Sequence, residues 1–121
     1  MEVSNNKPAE RTVSVILCTH NAQNGINRQL DSILSQDYPI QEVIIQDDGS
    51  NDDTADIVQM YAWSNPQIRF FKNEANFGKN QTFAEALSHV NGEFIAISGQ
   101  DGIWFPHHVR RLMEAIGFRD L

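Results

Sequence analysis

Positive charge is scarce in this chain: nine Lys and Arg stand against sixteen Asp and Glu, a net charge of −7. That balance repels phosphate polyanions and anionic membrane surfaces unless the basic residues cluster. The densest basic group is Arg110-Arg111, on a segment patterned as an amphipathic helix, and it reads as solvated charge. No nucleic-acid partner is expected. Cysteine is nearly absent as well. Cys18, the one thiol, has no partner for an internal disulfide and stands in an apolar run, where a buried thiol is expected and a reducing compartment fits. Long hydrophobic runs are missing: residues 15–18 make an apolar stretch of only four, against the ~20 that a membrane-crossing helix needs. Residues 1–11 lack the apolar region of a signal peptide. The expected location is cytoplasmic, with peripheral association at the inner membrane as the closest approach to lipid.

What the sequence does have is enough apolar material, 40% of 121 residues, for one core. Residues 1–11 are polar and aperiodic and are expected to form a flexible extension, so the domain is placed at 12–121. Residues 13–18 form a short β-branched run suited to a strand covered on both faces. Ile26, Leu30, Ile33 and Leu34 then share one stripe of a helix. A second strand at 42–46 leads into an acidic turn in which Ser50 and Asp53 resemble a helix-capping pair, and the helix that follows presents Ile57, Val58 and Tyr61 to the core. A third strand at 68–71 is followed by a helix whose stripe is Phe83, Leu87 and Val90, ended by a left-handed turn at Asn91-Gly92. A fourth strand at 93–98 precedes a last helix that starts near Pro106 and buries Val109, Leu112, Met113 and Ile116. Four β-α units in succession predict an α/β fold, a Rossmann-like parallel sheet with helices on both faces. In such sheets ligands bind beyond the carboxyl ends of the strands.

The polar residues gather in the loops at those ends. Asp47-Asp48-Gly49-Ser50 sets two carboxylates at a strand terminus, with a glycine that permits a close turn. A carboxylate there can accept the imide N–H of a uracil or thymine ring, and an acidic turn with no chemistry is the other reading of the same four residues. His107 and His108, adjacent on a helix and hence about 100° apart, cannot grip one ion together and read as surface residues.

Four landmarks stand in order. Val15-Ile16-Leu17-Cys18-Thr19-His20-Asn21 comes first, then Glu42-Val43-Ile44-Ile45-Gln46-Asp47-Asp48-Gly49-Ser50, then Asn76-Phe77-Gly78-Lys79-Asn80, then Glu93 through Pro106. Together they resemble family 2 glycosyltransferases over nearly the whole chain, and the last landmark resembles the rhamnosyltransferase-like branch whose loop reads Asp-Gln-Asp-Asp-Ile-Trp. The resemblance implies a glycosyltransferase A fold and inverting transfer of a hexose from a nucleotide diphosphate sugar to a sugar or lipid-linked acceptor, in bacterial surface polysaccharide synthesis. It implies that Thr19, Asn21 and Asp47 hold the base and ribose, and that Asp48 lies nearby and can orient the loop. Gly78 and Lys79 would border the nucleotide, with Lys79 offsetting phosphate charge, and Gln100 would complete the donor site. His20 sits where the family often has an aromatic.

The family's acidic loop binds Mg²⁺ or Mn²⁺, which neutralises the leaving diphosphate. Aligned on Gln100 and Ile103-Trp104, this chain has Gly99 and Gly102 at two acidic positions and keeps Asp101 as the metal ligand. The family's general base and acceptor platform lie beyond this loop, outside the 121 residues, so no catalytic residue is assigned. A non-catalytic nucleotide-sugar-binding module is therefore the alternative. A homodimer that covers apolar surface left open by the sheet is a further expectation.

Overall fold

The computed structural model describes residues 11–99 and 102–119. The expected flexible extension at 1–11, save Arg11, lies outside them. Four strands and four helices alternate: β1 (Val13–Thr19), α1 (Ile26–Leu34), β2 (Glu42–Asp47), α2 (Thr54–Ser64), β3 (Ile68–Lys72), α3 (Lys79–Leu87), β4 (Phe94–Ser98) and α4 (His108–Arg119). The strands form one sheet in the order β3-β2-β1-β4, and every pairing is parallel.

Alternation along each strand divides the interior in two. Val13, Val15 and Leu17 of β1 and Val43 and Ile45 of β2 face one side. There they meet Ile26, Leu30 and Ile33 of α1, Val58 of α2, and Val109 and Met113 of α4. Ile16 and Ile44 face the other side, under Ala86 of α3, with Phe71, Phe83 and Val90 around them. β1 and β2 are thus covered on both faces, which is why residues 15–18 and 43–45 at their centres read as continuous apolar runs.

The strand order also fixes where a ligand fits. From β1 the chain steps to β2 and then β3 on one side, with α1 and α2 on the same face; it then crosses under α3 on the opposite face to lay β4 on the other side of β1. The direction of winding reverses between β1 and β4, so the helices there diverge and leave a crevice at the carboxyl ends of these two strands.

Several local expectations are corrected. α3 ends at Leu87, which is 39% exposed; Phe83 and Val90 of the expected stripe pack partly buried on Ile16 and Ile44, while the fully buried residues of α3 are Thr82 and Ala86. Gly92 has no left-handed backbone, since the glycines with positive φ are Gly49 and Gly78. It is required for closeness instead: a Cβ there would stand 2.5 Å from Ser14 Oγ. Ser50 and Asp53 do not cap α2. Asp53 makes no side-chain cap bond, Asp52 accepts from the Thr54 N–H at 3.0 Å, and the Ser50 hydroxyl goes to Asp47. Pro106 precedes α4, and Leu112 is 43% exposed. Asp37, in the α1–β2 turn, binds His107 and Arg110 and so pins the start of α4.

Candidate functional site

Parallel register sets Thr19 of β1 beside Asp47 of β2, and Asp47 beside Lys72 of β3, at the carboxyl ends of the strands. Asp47 is 1% exposed. Its Oδ1 accepts from the Thr19 hydroxyl at 2.7 Å and the Ser50 hydroxyl at 2.6 Å, and its Oδ2 accepts from the Ser50 N–H at 2.8 Å. Gly49, at φ 70°, makes the turn that brings Ser50 back over the carboxylate. The residue singled out as the base acceptor therefore lies beneath the surface with its oxygens already engaged.

Asp48 points to the opposite face, as the next residue after a strand must. Its Oδ1 accepts from the Phe77 N–H at 2.5 Å and Asn73 Nδ2 at 3.1 Å, and its Oδ2 accepts from the Gly78 N–H at 3.1 Å. Desolvation works to raise its pKa, but the bonds from Phe77, Asn73, Gly78 and Thr82 outweigh it and hold the carboxyl below its ordinary value. Asp48 is thus a charged anchor for the β3–α3 loop.

The β1–α1 loop is stitched to the β2–α2 loop. The Asn21 N–H donates to Ser50 Oγ at 2.8 Å, Asn21 Oδ1 accepts from the Asn51 N–H at 2.8 Å, and the Ala22 N–H donates to Thr54 Oγ1 at 2.8 Å. Asn21 adopts φ 49°, a left-handed conformation that Asn tolerates better than most residues. His20 Nδ1–H donates to the Asp48 carbonyl at 2.9 Å, which leaves Nε2 as an acceptor for Asn21 Nδ2 at 3.4 Å.

These loops enclose a pocket of about 280 Å³ at the winding reversal. Cys18, Thr19 and His20 line it from β1, Asp48 from β2, Lys79 from α3, and Ser98 from β4. Apolar walls come from Phe83 and Ile97. α3 begins here with Gly78 at φ 90°; its glycine N-cap has no side chain to bond the first-turn N–H groups, the Asp48 carboxylate holds the Phe77 and Gly78 N–H groups just before them, and Lys79 adds a positive charge. Cys18, half-buried, has its thiol pKa pushed up by burial and by the charge of Asp48, so it stays protonated and packs.

Of the residues expected to form the site, Thr19, Asp48 and Lys79 meet in this pocket and Gly78 adjoins it. Asp47 and Asn21 hold its loops. Gln100 and Asp101 lie outside the described residues. Sequence reasoning missed Gln29, whose amide reaches from α1 to Ser98 Oγ at 2.9 Å and the Gly99 carbonyl at 2.6 Å and so holds the end of β4. A polar residue on the apolar stripe, next to Leu30 and three residues after Ile26, was the available signal. No three His, Cys, Asp or Glu side chains gather among the described residues, and Gly99 and Gly102 offer no carboxylate. The donors present do not fit a divalent metal centre without Asp101.

The chain matches the model of "Glycosyl transferase family 2" over residues 14–120. It is 33% identical over 95 residues to the UDP-Glc:alpha-D-GlcNAc-diphosphoundecaprenol beta-1,3-glucosyltransferase WfgD of Escherichia coli, covering 78% of this chain and 37% of that protein. Among solved structures it resembles a mannosyltransferase from Pyrobaculum calidifontis in complex with GDP-Man and Mn²⁺, with TM-score 0.78, 31% identity and coverage of 90% of this chain and 32% of that one. It also resembles S. aureus TarS in complex with UDP, with TM-score 0.76, 30% identity and coverage of 90% and 32%. The chain spans about a third of the length of these relatives. No described helix is long and apolar enough to cross a membrane. The family model covers most of the chain and the fold is that of these glycosyltransferase structures: the chain belongs to glycosyl transferase family 2.

Proposed function

We propose that this chain forms the donor-binding part of an inverting hexosyltransferase that uses a nucleotide diphosphate sugar and acts in bacterial surface polysaccharide synthesis. The observation that carries the reading is the pocket at the winding reversal, where Lys79 and the first-turn N–H groups of α3, beyond those held by Asp48, offer positive potential to a diphosphate. Thr19 and Asp48 line the side of that pocket toward β1 and β2, and His20 presents an exposed ring at its rim for the base. Asp47 and Asn21 act through the loops they fix. Gln100 and Asp101 are assigned to the sugar and to Mg²⁺ or Mn²⁺ on the order of the motif. The sugar or lipid-linked acceptor would be met by chain outside these 121 residues, at the cytoplasmic side of the membrane. Relatives named for glucose and mannose leave the rhamnosyltransferase-like branch without support, and it is not part of the proposal. Ile95, 42% exposed on β4, belongs to the surface that the expected homodimer would cover.

Binding to the folded state alone raises stability by about 2.7 kcal/mol at a ligand concentration 100 times Kd. For a domain of this size that is a rise in Tm of roughly 8 °C. Thermal melts with UDP, GDP and dTDP, each with Mn²⁺ and with EDTA, should show this rise for at least one nucleotide. Lys79→Ala should reduce it without lowering the Tm of the free protein. If no nucleotide at saturation moves the Tm, the pocket is not a donor site. The alternative, a non-catalytic nucleotide-sugar-binding module, is favoured by Gly99 and Gly102; it predicts the same shift with no turnover of any donor, acceptor or water.

A further inference from the structure

In the connection from β4 to α4, Gly99 and residues 102–105 lie in neither helix nor strand. The connection also buries little of its own apolar surface: Ile103 and Phe105 are 58% and 84% exposed, and Trp104 is the side chain that packs against the core. Its path is therefore fixed by hydrogen bonds, since its backbone groups would otherwise turn to water. The bonds come from one polar stripe that flanks the apolar face of α1. Gln29, Ser32 and Gln36, spaced i, i+3 and i+7, share that stripe, the last of them just past the end of the helix. Gln29 Nε2 donates to the Gly99 carbonyl at 2.6 Å as well as to Ser98 Oγ. The Ser32 hydroxyl donates its hydrogen to the Gln29 carbonyl at 2.8 Å and so turns a lone pair to the Trp104 N–H at 3.1 Å. Gln36 Nε2 donates to the Phe105 carbonyl at 2.7 Å, and Gln36 Oε1 accepts from the Val109 N–H at 3.0 Å. The Asp37 N–H adds a bond to the Pro106 carbonyl at 3.0 Å.

Within the connection these contacts reach backbone groups, so they set its course whatever side chains it carries. That course begins at the donor pocket, which Gly99 lines, and the next two residues in the sequence are those assigned above to the donor. The Gly102 N–H closes a turn onto the Gly99 carbonyl at 3.0 Å, the same oxygen that Gln29 holds. Gln29 thus secures the near end of the connection, Gln36 the far end, and Ser32 the stretch between. We infer that Gln29, Ser32 and Gln36 are positioning residues of the donor site, which hold the connection in its binding course before a nucleotide arrives. None of the three lines the pocket, so they act through the residues they hold. What they set is the fraction of folded molecules ready to bind, and apparent affinity falls in proportion to that fraction. The inference rests on the donor reading of the pocket.

Calorimetric titration of the whole chain with UDP, GDP and dTDP, well below the Tm of every variant, tests it. Ser32→Ala keeps the helix and removes the acceptor of the Trp104 N–H, whereas Ser32→Thr keeps that acceptor. Gln29→Met keeps the buried volume and removes the amide. The expected result is nucleotide binding about tenfold weaker in Ser32→Ala and in Gln29→Met than in the parent, and restored in Ser32→Thr to within about threefold. Hydrogen exchange gives a second reading. In the free Ser32→Ala and Gln29→Met proteins the Gly102 and His108 amides, bonded to the Gly99 and Phe105 carbonyls, should exchange faster than in the parent, and saturating nucleotide should return them to the parent's protection. A merely structural role would lower Tm and leave the affinity of the folded protein unchanged. Affinity equal to the parent's in both weakened variants, or Ser32→Thr no better than Ser32→Ala, would overturn the inference and leave the donor reading intact. A parent that binds none of the three nucleotides would overturn both.

Discussion

Replacing Asp48 with asparagine isolates what the β3–α3 loop owes to a single carboxylate. The shape of the side chain is kept and one acceptor survives. If the amide oxygen stays where Oδ1 is, it can still receive the Phe77 N–H and Asn73 Nδ2. The NH₂ then faces the Gly78 N–H, donor against donor, in place of the 3.1 Å bond to Oδ2. A lost hydrogen bond to a charged group is worth about 1.5–3 kcal/mol, and the half-buried Gly78 lets water recover part of it. The two remaining bonds also weaken on loss of the charge. A net loss of roughly 2 kcal/mol follows, which for a domain of this size lowers Tm by about 6 °C.

Thermal melts of the parent and Asp48→Asn from pH 3 to pH 8 measure this, and the pH dependence carries the sharper test. The folded-state pKa of Asp48 is depressed, so its stabilisation is fully present above the unfolded value of about 3.9 and is lost as pH falls through the folded value. The gap in Tm between the two proteins should be constant from pH 5 to pH 8 and close below pH 4. A gap within error at pH 7, or one that widens in acid, would refute the anchoring role.

Gly78→Ala places a Cβ at φ 90° and ψ 166°, a region open essentially only to glycine, and should cost about 1–3 kcal/mol in denaturant unfolding and weaken nucleotide binding; an unchanged midpoint would show that the loop relaxes freely. Gly92→Ala forces a methyl within 2.5 Å of Ser14 Oγ and 2.8 Å of the Ser14 nitrogen and should cost about 1–3 kcal/mol, with nucleotide binding preserved because the clash lies at the opposite end of the sheet. Glu42→Gln removes the charge that pairs with Arg69 at 2.9 Å and, with the amide oxygen kept toward the Ser14 hydroxyl and the Asn91 N–H, turns an NH₂ toward the Arg69 guanidinium, donor against donor. Desolvation raises the pKa of Glu42, but the bonds from Ser14, Asn91 and Arg69 outweigh it and leave it below the ordinary value. The stability lost in the variant, roughly 1–2 kcal/mol at pH 7, should therefore vanish as the parent is taken below pH 4, and chemical unfolding at several pH values checks the sign.

The sheet was legible because burial and composition agree where packing is symmetrical. β1 and β2 lie under helices on both faces, so their centres, residues 15–18 and 43–45, are unbroken apolar runs and no choice of face has to be inferred. α3 was misread for the converse reason. It lies close to Ile16 and Ile44, and small side chains, Thr82 and Ala86, make that approach, while Phe83 packs only partly buried at its edge and Leu87 faces outward. A rule that weights size finds the edge of the stripe and misses its small-residue centre when the interface is narrow. Gly92 was misread because glycine meets two different needs, positive φ and close approach, and composition does not distinguish them.

The acidic motif shows where sequence reading stops. Order and position placed both carboxylates at the crevice, but the direction of each depends on strand alternation and on which donors lie across the register. Consecutive residues at the end of β2 project to opposite faces. Asp47 turns toward Thr19 and Ser50 and closes the β1 side, and Asp48 turns toward Asn73, Phe77 and Gly78 and closes the α3 side. The pair acts as a double clasp whose two halves hold the two walls of one pocket. Its halves should therefore fail differently. Asp47→Asn should loosen the Thr19 side and impair discrimination among bases, whereas Asp48→Asn should displace Lys79 and the start of α3 and weaken every nucleoside diphosphate alike. Affinities of both variants for UDP, GDP and uridine, measured by calorimetry, separate the two effects: equal losses across all three ligands in both variants would mean that the carboxylates support the fold and not the separate walls of the pocket.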